Sequence, residues 1–192
     1  MRNQKTNITI QILVGLILVG LIVLSRVAPH PPNFTAVGAV AIFSGAFFRN
    51  RWASFIPFAG MIISDLFLPN YAIMHRLIVY IAFGITFGVG FLIRKKYKLH
   101  TSIAASLASA IIFFLITNCV FLYGSGWGPV MYPHTLAGQI LSYTYALPFL
   151  KWAILGDLTY SLAIYGAYRL LTSSHFIKQT KLRRLYAYSR QD

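Results

Sequence analysis

Long apolar stretches alternate along the chain with short charged runs, and six stretches approach the roughly 20 residues that a membrane-crossing helix needs at 1.5 Å rise per residue. They cover residues 8–28, 34–48, 52–68, 71–93, 103–123 and 148–171. The second has only 15 residues, short for a span. Between the fifth and sixth lies 135–147, Thr-Leu-Ala-Gly-Gln-Ile-Leu-Ser-Tyr-Thr-Tyr-Ala-Leu, which is too short and too polar to cross comfortably. It is predicted to form a separate surface or re-entrant helix, with Pro148 opening the sixth span. The pattern predicts an all-α membrane protein: one transmembrane domain over 1–171 and a basic tail over 172–192. Arg2 and Lys5 before the first apolar stretch resemble the start of a signal peptide. Arg26 and Pro29 make a poor cleavage site around Ala28, so the stretch is read as an uncleaved helix.

Composition agrees with this pattern. The chain has 192 residues, 57% hydrophobic and 10% charged, against about 25% charged in soluble domains. Its 17 Lys and Arg face 3 acids, and Glu is absent. A net charge of +14 would suit a nucleic-acid binder, but such proteins carry their basic residues on a polar fold. Here the charges sit between apolar stretches, as membrane loops do, and no nucleic-acid partner is predicted. Six helices with both termini in the cytoplasm put 14 Lys and Arg inside and leave Arg26, Arg76 and Lys151 outside. A seventh span through 135–149 would reduce the split to 9 against 8. The positive-inside rule selects six. Trp52 and Trp152 begin helices and Trp127 lies in a loop, as an aromatic belt would place them.

Polar residues within the apolar stretches carry the functional expectation. Apart from the terminal Asp192, the acids are Asp65 and Asp157, both in apolar surroundings. An ionisable group in a membrane helix is costly unless paired or hydrated, and marks a functional site by default. In the six-helix arrangement these acids share the outer half with Asn33, Arg76, Asn118, Tyr132 and His134. The predicted site comprises Asn33, Asp65, Arg76, Asn118, Asp157 and His134, with Trp127 and Tyr132 as an aromatic lid. The competing structural expectation pairs Asp65 with Arg76, and Asp157 with Lys151 or Asn118. The stretch Pro29-His30-Pro31-Pro32-Asn33 reads as a pocket wall or a stiff connector, with Thr35 as a helix cap. Gly84 and Gly88 form GxxxG; Ala41 with Gly45 and Ala104 with Ala108 repeat the spacing, which lets helix backbones approach closely.

Several chemistries lack their motifs. There is no Walker sequence, HExxH or GxSxG, and the single Cys119 cannot form a zinc pair. His30, His75, His100, His134 and His175 have no ligand spacing. No cofactor, metal or catalytic activity is predicted. A membrane aspartyl protease would need Gly-x-Gly-Asp, and Ile154 stands where the first glycine belongs.

Five segments together resemble an uncharacterised bacterial membrane family of transport proteins: Pro-His-Pro-Pro-Asn-Phe-Thr-Ala-Val-Gly-Ala-Val-Ala-Ile-Phe-Ser-Gly-Ala (29–46), Ile-Ser-Asp-Leu-Phe (63–67), Phe-Phe-Leu-Ile-Thr-Asn (113–118), Tyr-Pro-His-Thr-Leu-Ala-Gly (132–138) and Leu-Gly-Asp-Leu (155–158). That family is similar in turn to the substrate-binding S components of energy-coupling factor transporters. The resemblance implies six helices in a bacterial inner membrane that bind a small nutrient from outside. It also implies a transmembrane coupling subunit and ATPases as partners. S components dock through an Ala-xxx-Ala face on their first helix, and the first helix here has no such pair. Two other readings are a stand-alone ion- or proton-coupled carrier, in which Asp65 and Asp157 titrate, and a non-catalytic membrane assembly protein.

Overall fold

A computed structural model describes residues 8–48, 52, 55–69, 73–122 and 132–188, with side chains of the last helix described as far as Thr172. The described residues form six α-helices and no strand: α1 (Ile8–Val27), α2 (Val37–Phe47), α3 (Phe55–Asp65), α4 (Ile73–Ile93), α5 (Leu99–Thr117) and α6 (Leu136–Tyr188). Three segments are long and apolar enough to cross a membrane: Thr9–Val27, Ile73–Lys96 and Leu99–Thr117. Their outer faces are apolar, with Leu16, Ile17, Leu24, Ile81, Leu92 and Ile111 exposed. Contiguous apolar surface of this kind fits lipid contact. Helices α2 and α3 have 11 residues each, about 17 Å of rise, well short of the roughly 30 Å apolar thickness of a bilayer.

The last helix departs from the sequence expectation. Residues 135–147 are not a separate element: α6 runs unbroken through Pro148 for 53 residues. Proline costs one backbone hydrogen bond inside a helix, yet its fixed φ is helical. Neighbouring helices and side chains satisfy the freed groups, which is why membrane helices tolerate it. The first turns of α6 are held against the end of α5 by side chains: Gln139 Nε2 donates to the Asn118 carbonyl at 3.0 Å, Ser142 Oγ donates to the same oxygen at 2.9 Å, and the Val120 N–H donates to Gln139 Oε1 at 3.0 Å. Thr135 caps the helix through a 3.1 Å bond from the Gly138 N–H. The helical backbone also continues into the basic 172–188 segment. Truncation after Thr172 is expected to leave insertion and ligand retention intact, checked by membrane fractionation and binding on the shortened chain.

Small residues set the closest crossings, although not at the GxxxG pair. A Cβ on Gly45 would meet the Phe87 carbonyl, and one on Gly90 would meet the Ile42 carbonyl, so α2 and α4 touch backbone to backbone there. Gly60 packs on the Ile22 side chain where α3 crosses α1, less closely than the backbone contacts of Gly45 and Gly90. Gly88 has open space and Gly84 only the Phe58 ring beside it. Around α2, which is buried along nearly its whole length, Leu18, Ile22, Val37, Val40, Phe43, Met61 and Phe83 form the core.

The bundle has two unlike ends. At one, Arg94 donates to the Gly45 carbonyl at 3.0 and 3.2 Å and to the Phe48 carbonyl at 2.5 Å, placing a cation on the C-terminus of α2. Phe43, Phe47, Phe48, Tyr97 and Tyr168 pack edge to face beside it. Burial pushes the Tyr97 hydroxyl up to about 12. At the other end meet the last turns of α1, α3 and α5, the first turns of α2 and α4, and the middle of α6 around Asp157.

Candidate functional site

That second end holds a half-open cavity of about 290 Å³. Its polar wall is Arg26, His30, Asn33, Thr35 and Asp157; its apolar wall includes Leu68, Val79, Phe83 and Phe113. The connector after α1 builds much of the polar wall. The Phe34 N–H donates to the Pro31 carbonyl at 3.0 Å, and Asn33 holds φ 67°. Pro32 followed by a positive-φ residue is the type II turn arrangement, and Asn tolerates that conformation better than most residues. The turn brings His30, Asn33 and Thr35 to one side of the cavity. His30 Nδ1 lies 2.7 Å from the Pro31 carbonyl and its Nε2 lies 3.3 Å from the Arg26 carbonyl, so the imidazole braces the start of the connector.

Asp65 stands at the end of α3 between two cations. Arg26 Nη1 is 2.8 Å from Oδ1, and Arg76 Nε is 3.3 Å from Oδ2. Tyr80 donates its hydroxyl to Oδ2 at 2.6 Å. The same Arg26 nitrogen reaches the Met61 carbonyl at 3.0 Å and Ser64 Oγ at 2.5 Å, so one guanidinium nitrogen satisfies the C-terminal turn of α3. Cation, carboxylate and phenol thus tie α1, α3 and α4 together: the Asp65 side chain is 4% exposed and that of Arg26 12%, while Arg76, at 26%, keeps contact with solvent.

Asp157 is held differently. It lies buried in α6 against the first turn of α2, facing the Ala39 backbone N–H and the Ser109 hydroxyl. The N-cap residue of α2 is Ala36, whose side chain cannot cap; its own N–H donates to Ser25 Oγ at 3.0 Å. Thr35 is therefore not the cap expected from sequence. A carboxylate on another helix takes that duty, where the helix dipole favours negative charge. Gly38 is what admits it, because a Cβ there would overlap the carboxylate. Gly156 lets α6 approach the backbone of Phe34 and Thr35 at 3.1 Å from where its own Cβ would stand. Ser109 donates onward to Thr86 Oγ1 at 3.4 Å. Ser161, one turn along α6 from Asp157, and Ser44, nearer the Arg94 end, are buried without a hydrogen-bond partner among the described residues.

Of the residues predicted from sequence, Asn33 and Asp157 line the cavity, and Asp65 with Arg76 stands behind its Arg26 wall. Asn118, Tyr132 and His134 do not line it. Asn118 is the C-cap of α5, with its side chain on the Phe114 carbonyl at 2.9 Å. Tyr132 stacks on Tyr145 with centroids 6.4 Å apart, and His134 packs by Phe121 at 6.3 Å. Trp127 lies outside the described residues, so the aromatic lid assigned to it is left without a description. The aromatic surface at the cavity comes instead from Phe83 and Phe113, stacked at 5.0 Å. Lys151 sits 5.2 Å over the Trp152 ring, which separates it from the pairing with Asp157 considered above. Sequence reasoning left Arg26 and Gly38 out of the site, and included His30 only within the 29–33 stretch read as a pocket wall or a stiff connector. Arg26 is legible from sequence as an outer cation, but there it bears only on orientation and on the cleavage site. Among the described residues no three His, Cys, Asp or Glu side chains come together in a metal-binding group.

A family model describes this same stretch of chain from residue 4 to residue 182. The chain belongs to DUF6580, a family of unknown function. Its match takes in every residue of the cavity and of the Arg26–Asp65–Arg76 cluster. No curated protein and no solved structure matches the chain.

Proposed function

We propose that this DUF6580 protein is a multi-pass protein of the bacterial inner membrane that captures a small molecule at the outer end of its bundle. The observation that carries the reading is the cavity of about 290 Å³, whose lining combines the polar Arg26, Asn33, Thr35 and Asp157 with the aromatic Phe83 and Phe113. A concave, mostly apolar space with a few convergent polar groups is the usual form of a small-molecule site, and this volume is near the small end of the range. The sequence resemblance to S components adds a mechanism: a capture subunit working with a coupling subunit and ATPases. Mild-detergent purification of the intact chain, with mass spectrometry of what accompanies it, tests both levels. A retained small molecule that is lost on Phe113→Trp, which fills the cavity, is expected. Co-purifying ATPases would select the capture subunit. Retention unaffected by the cavity-filling variant would overturn the site.

The orientation is tested separately. Reporter fusions after Lys98 and at the C-terminus are expected to read cytoplasmic, and a fusion at Gly128 external. A C-terminus read as external would reverse the bundle and place the cavity on the cytoplasmic side.

A second reading, a stand-alone cation- or proton-coupled carrier, is favoured by one observation: the buried hydroxyls of Ser161 and Ser44, which have no partner among the described residues and lie on the far side of Asp157 from the cavity. Buried hydroxyls without partners are sites for water or an ion. Uptake driven by a pH gradient in vesicles holding the purified chain alone would select this reading.

A further inference from the structure

The capture reading leaves the charge of the ligand open, and the charge balance around Arg26 addresses it. Two guanidinium groups, Arg26 and Arg76, share the single carboxylate of Asp65. The other internal acid, Asp157, faces the first turn of α2 and Ser109. The chain has no Glu, and its remaining Asp is the terminal Asp192. The cluster therefore carries one positive charge more than its own carboxylate balances. Arg26 spends a single nitrogen on the protein: its contacts with Met61, Ser64 and Asp65 all run through Nη1. Nε and Nη2 have no partner among the described residues, and the side chain forms part of the cavity wall.

We infer that the cavity takes a small organic monoanion, its carboxylate received by Arg26 Nε and Nη2 and its apolar body laid against Phe83 and Phe113. Two parallel N–H donors match a carboxylate, which is why arginine predominates at such sites. Of the two guanidiniums Arg26 is the less exposed, at 12% against 26% for Arg76, so it is the one that gains most from a counter-charge in the cavity. The nearby Asp157 carboxylate and a surplus of only one charge disfavour a dianion such as a phosphate monoester. The apolar wall disfavours a bare inorganic anion.

This inference rests on the capture reading, and one experiment separates their failures. Thermal unfolding of the intact detergent-purified chain is followed with benzoate, phenylacetate and hexanoate, each beside its primary amide, and with chloride as the inorganic control. The acids are expected to stabilise at concentrations at least tenfold lower than their amides, and Arg26→Gln to abolish that preference. Arg26→Lys, which keeps the charge but not the fork, is expected to retain part of it. Amides equal to acids on the unmodified chain would overturn the monoanion assignment while leaving the site standing. Stabilisation by chloride as strong as by the acids would also overturn it. Stabilisation by none of the compounds would overturn the site itself. The acid–amide comparison needs no variant, so it decides even if Arg26→Gln fails to fold.

Discussion

Asp65→Ala is expected to destabilise the protein by about 3–5 kcal/mol, the range for removing one member of a buried ion pair. The carboxylate is 4% exposed at its side chain and holds Arg26 at 2.8 Å, Arg76 at 3.3 Å and, through Oδ2, the Tyr80 hydroxyl at 2.6 Å. Deleting it leaves two guanidiniums facing each other and releases the end of α3 from α1 and α4. Asp65→Asn keeps the shape and an acceptor for Tyr80 but not the charge, so it should lose less than the alanine variant. Tyr80→Phe should cost about 1 kcal/mol, the usual value of one hydrogen bond. Denaturant unfolding of the three variants in the same detergent gives the order Ala, Asn, Phe from most to least damaged. An Asp65→Ala protein as stable as the parent would mean that the cluster holds nothing together. The sequence reading expected Asp65 to serve recognition more than folding. The geometry gives it three protein partners, and leaves the cavity contact to Arg26, which Asp65 positions.

How far this arrangement could be read from the chain follows from what each residue needs. Helix positions were legible because uninterrupted apolar runs have few other uses. The end that holds the cavity was legible in part because Asp65 lies near the same helix end as Arg76 and Asn33, with Asp157 in the outer half of the sixth predicted span. Polarity inside an apolar run shows only that a residue needs a partner, not which one. Asn118 met that need by closing α5, and its carbonyl by receiving Gln139 and Ser142. Asp157 met it with a backbone N–H from another helix, a contact that no spacing along the sequence encodes. Pro148 misled for a related reason. Proline marks a helix start when only local propensity counts, but its fixed φ is also that of a continuing helix, and α6, packed on the end of α5 in its first turns, runs on through it. Gly38 was hidden among Ala, Val and Gly, where small residues usually mean close helix packing and only here mean room for a carboxylate.

The pairing of Gly38 with Asp157 predicts a coupling that neither residue shows alone. Gly38→Ala places a methyl group where the carboxylate lies. Overpacking of a tight interior costs about 1–3 kcal/mol, and the displaced carboxylate also gives up the α2 N-terminus. Asp157→Ala removes the cap and opens space, at about 0.5–2 kcal/mol for the lost capping interaction. If the two residues meet as described, adding Gly38→Ala to Asp157→Ala should cost far less than adding it to the parent chain, because the methyl then enters emptied space. The double-mutant cycle should return an interaction of about 1 kcal/mol or more, in the range found for residues in contact. Equilibrium unfolding of the four proteins measures it. Strictly additive losses would place Asp157 away from the helix terminus. The same four proteins separate the two duties of Asp157. A cap alone predicts that ligand retention in Gly38→Ala falls only in step with the folded fraction. A carboxylate that also faces the ligand predicts a loss of retention in the molecules that remain folded.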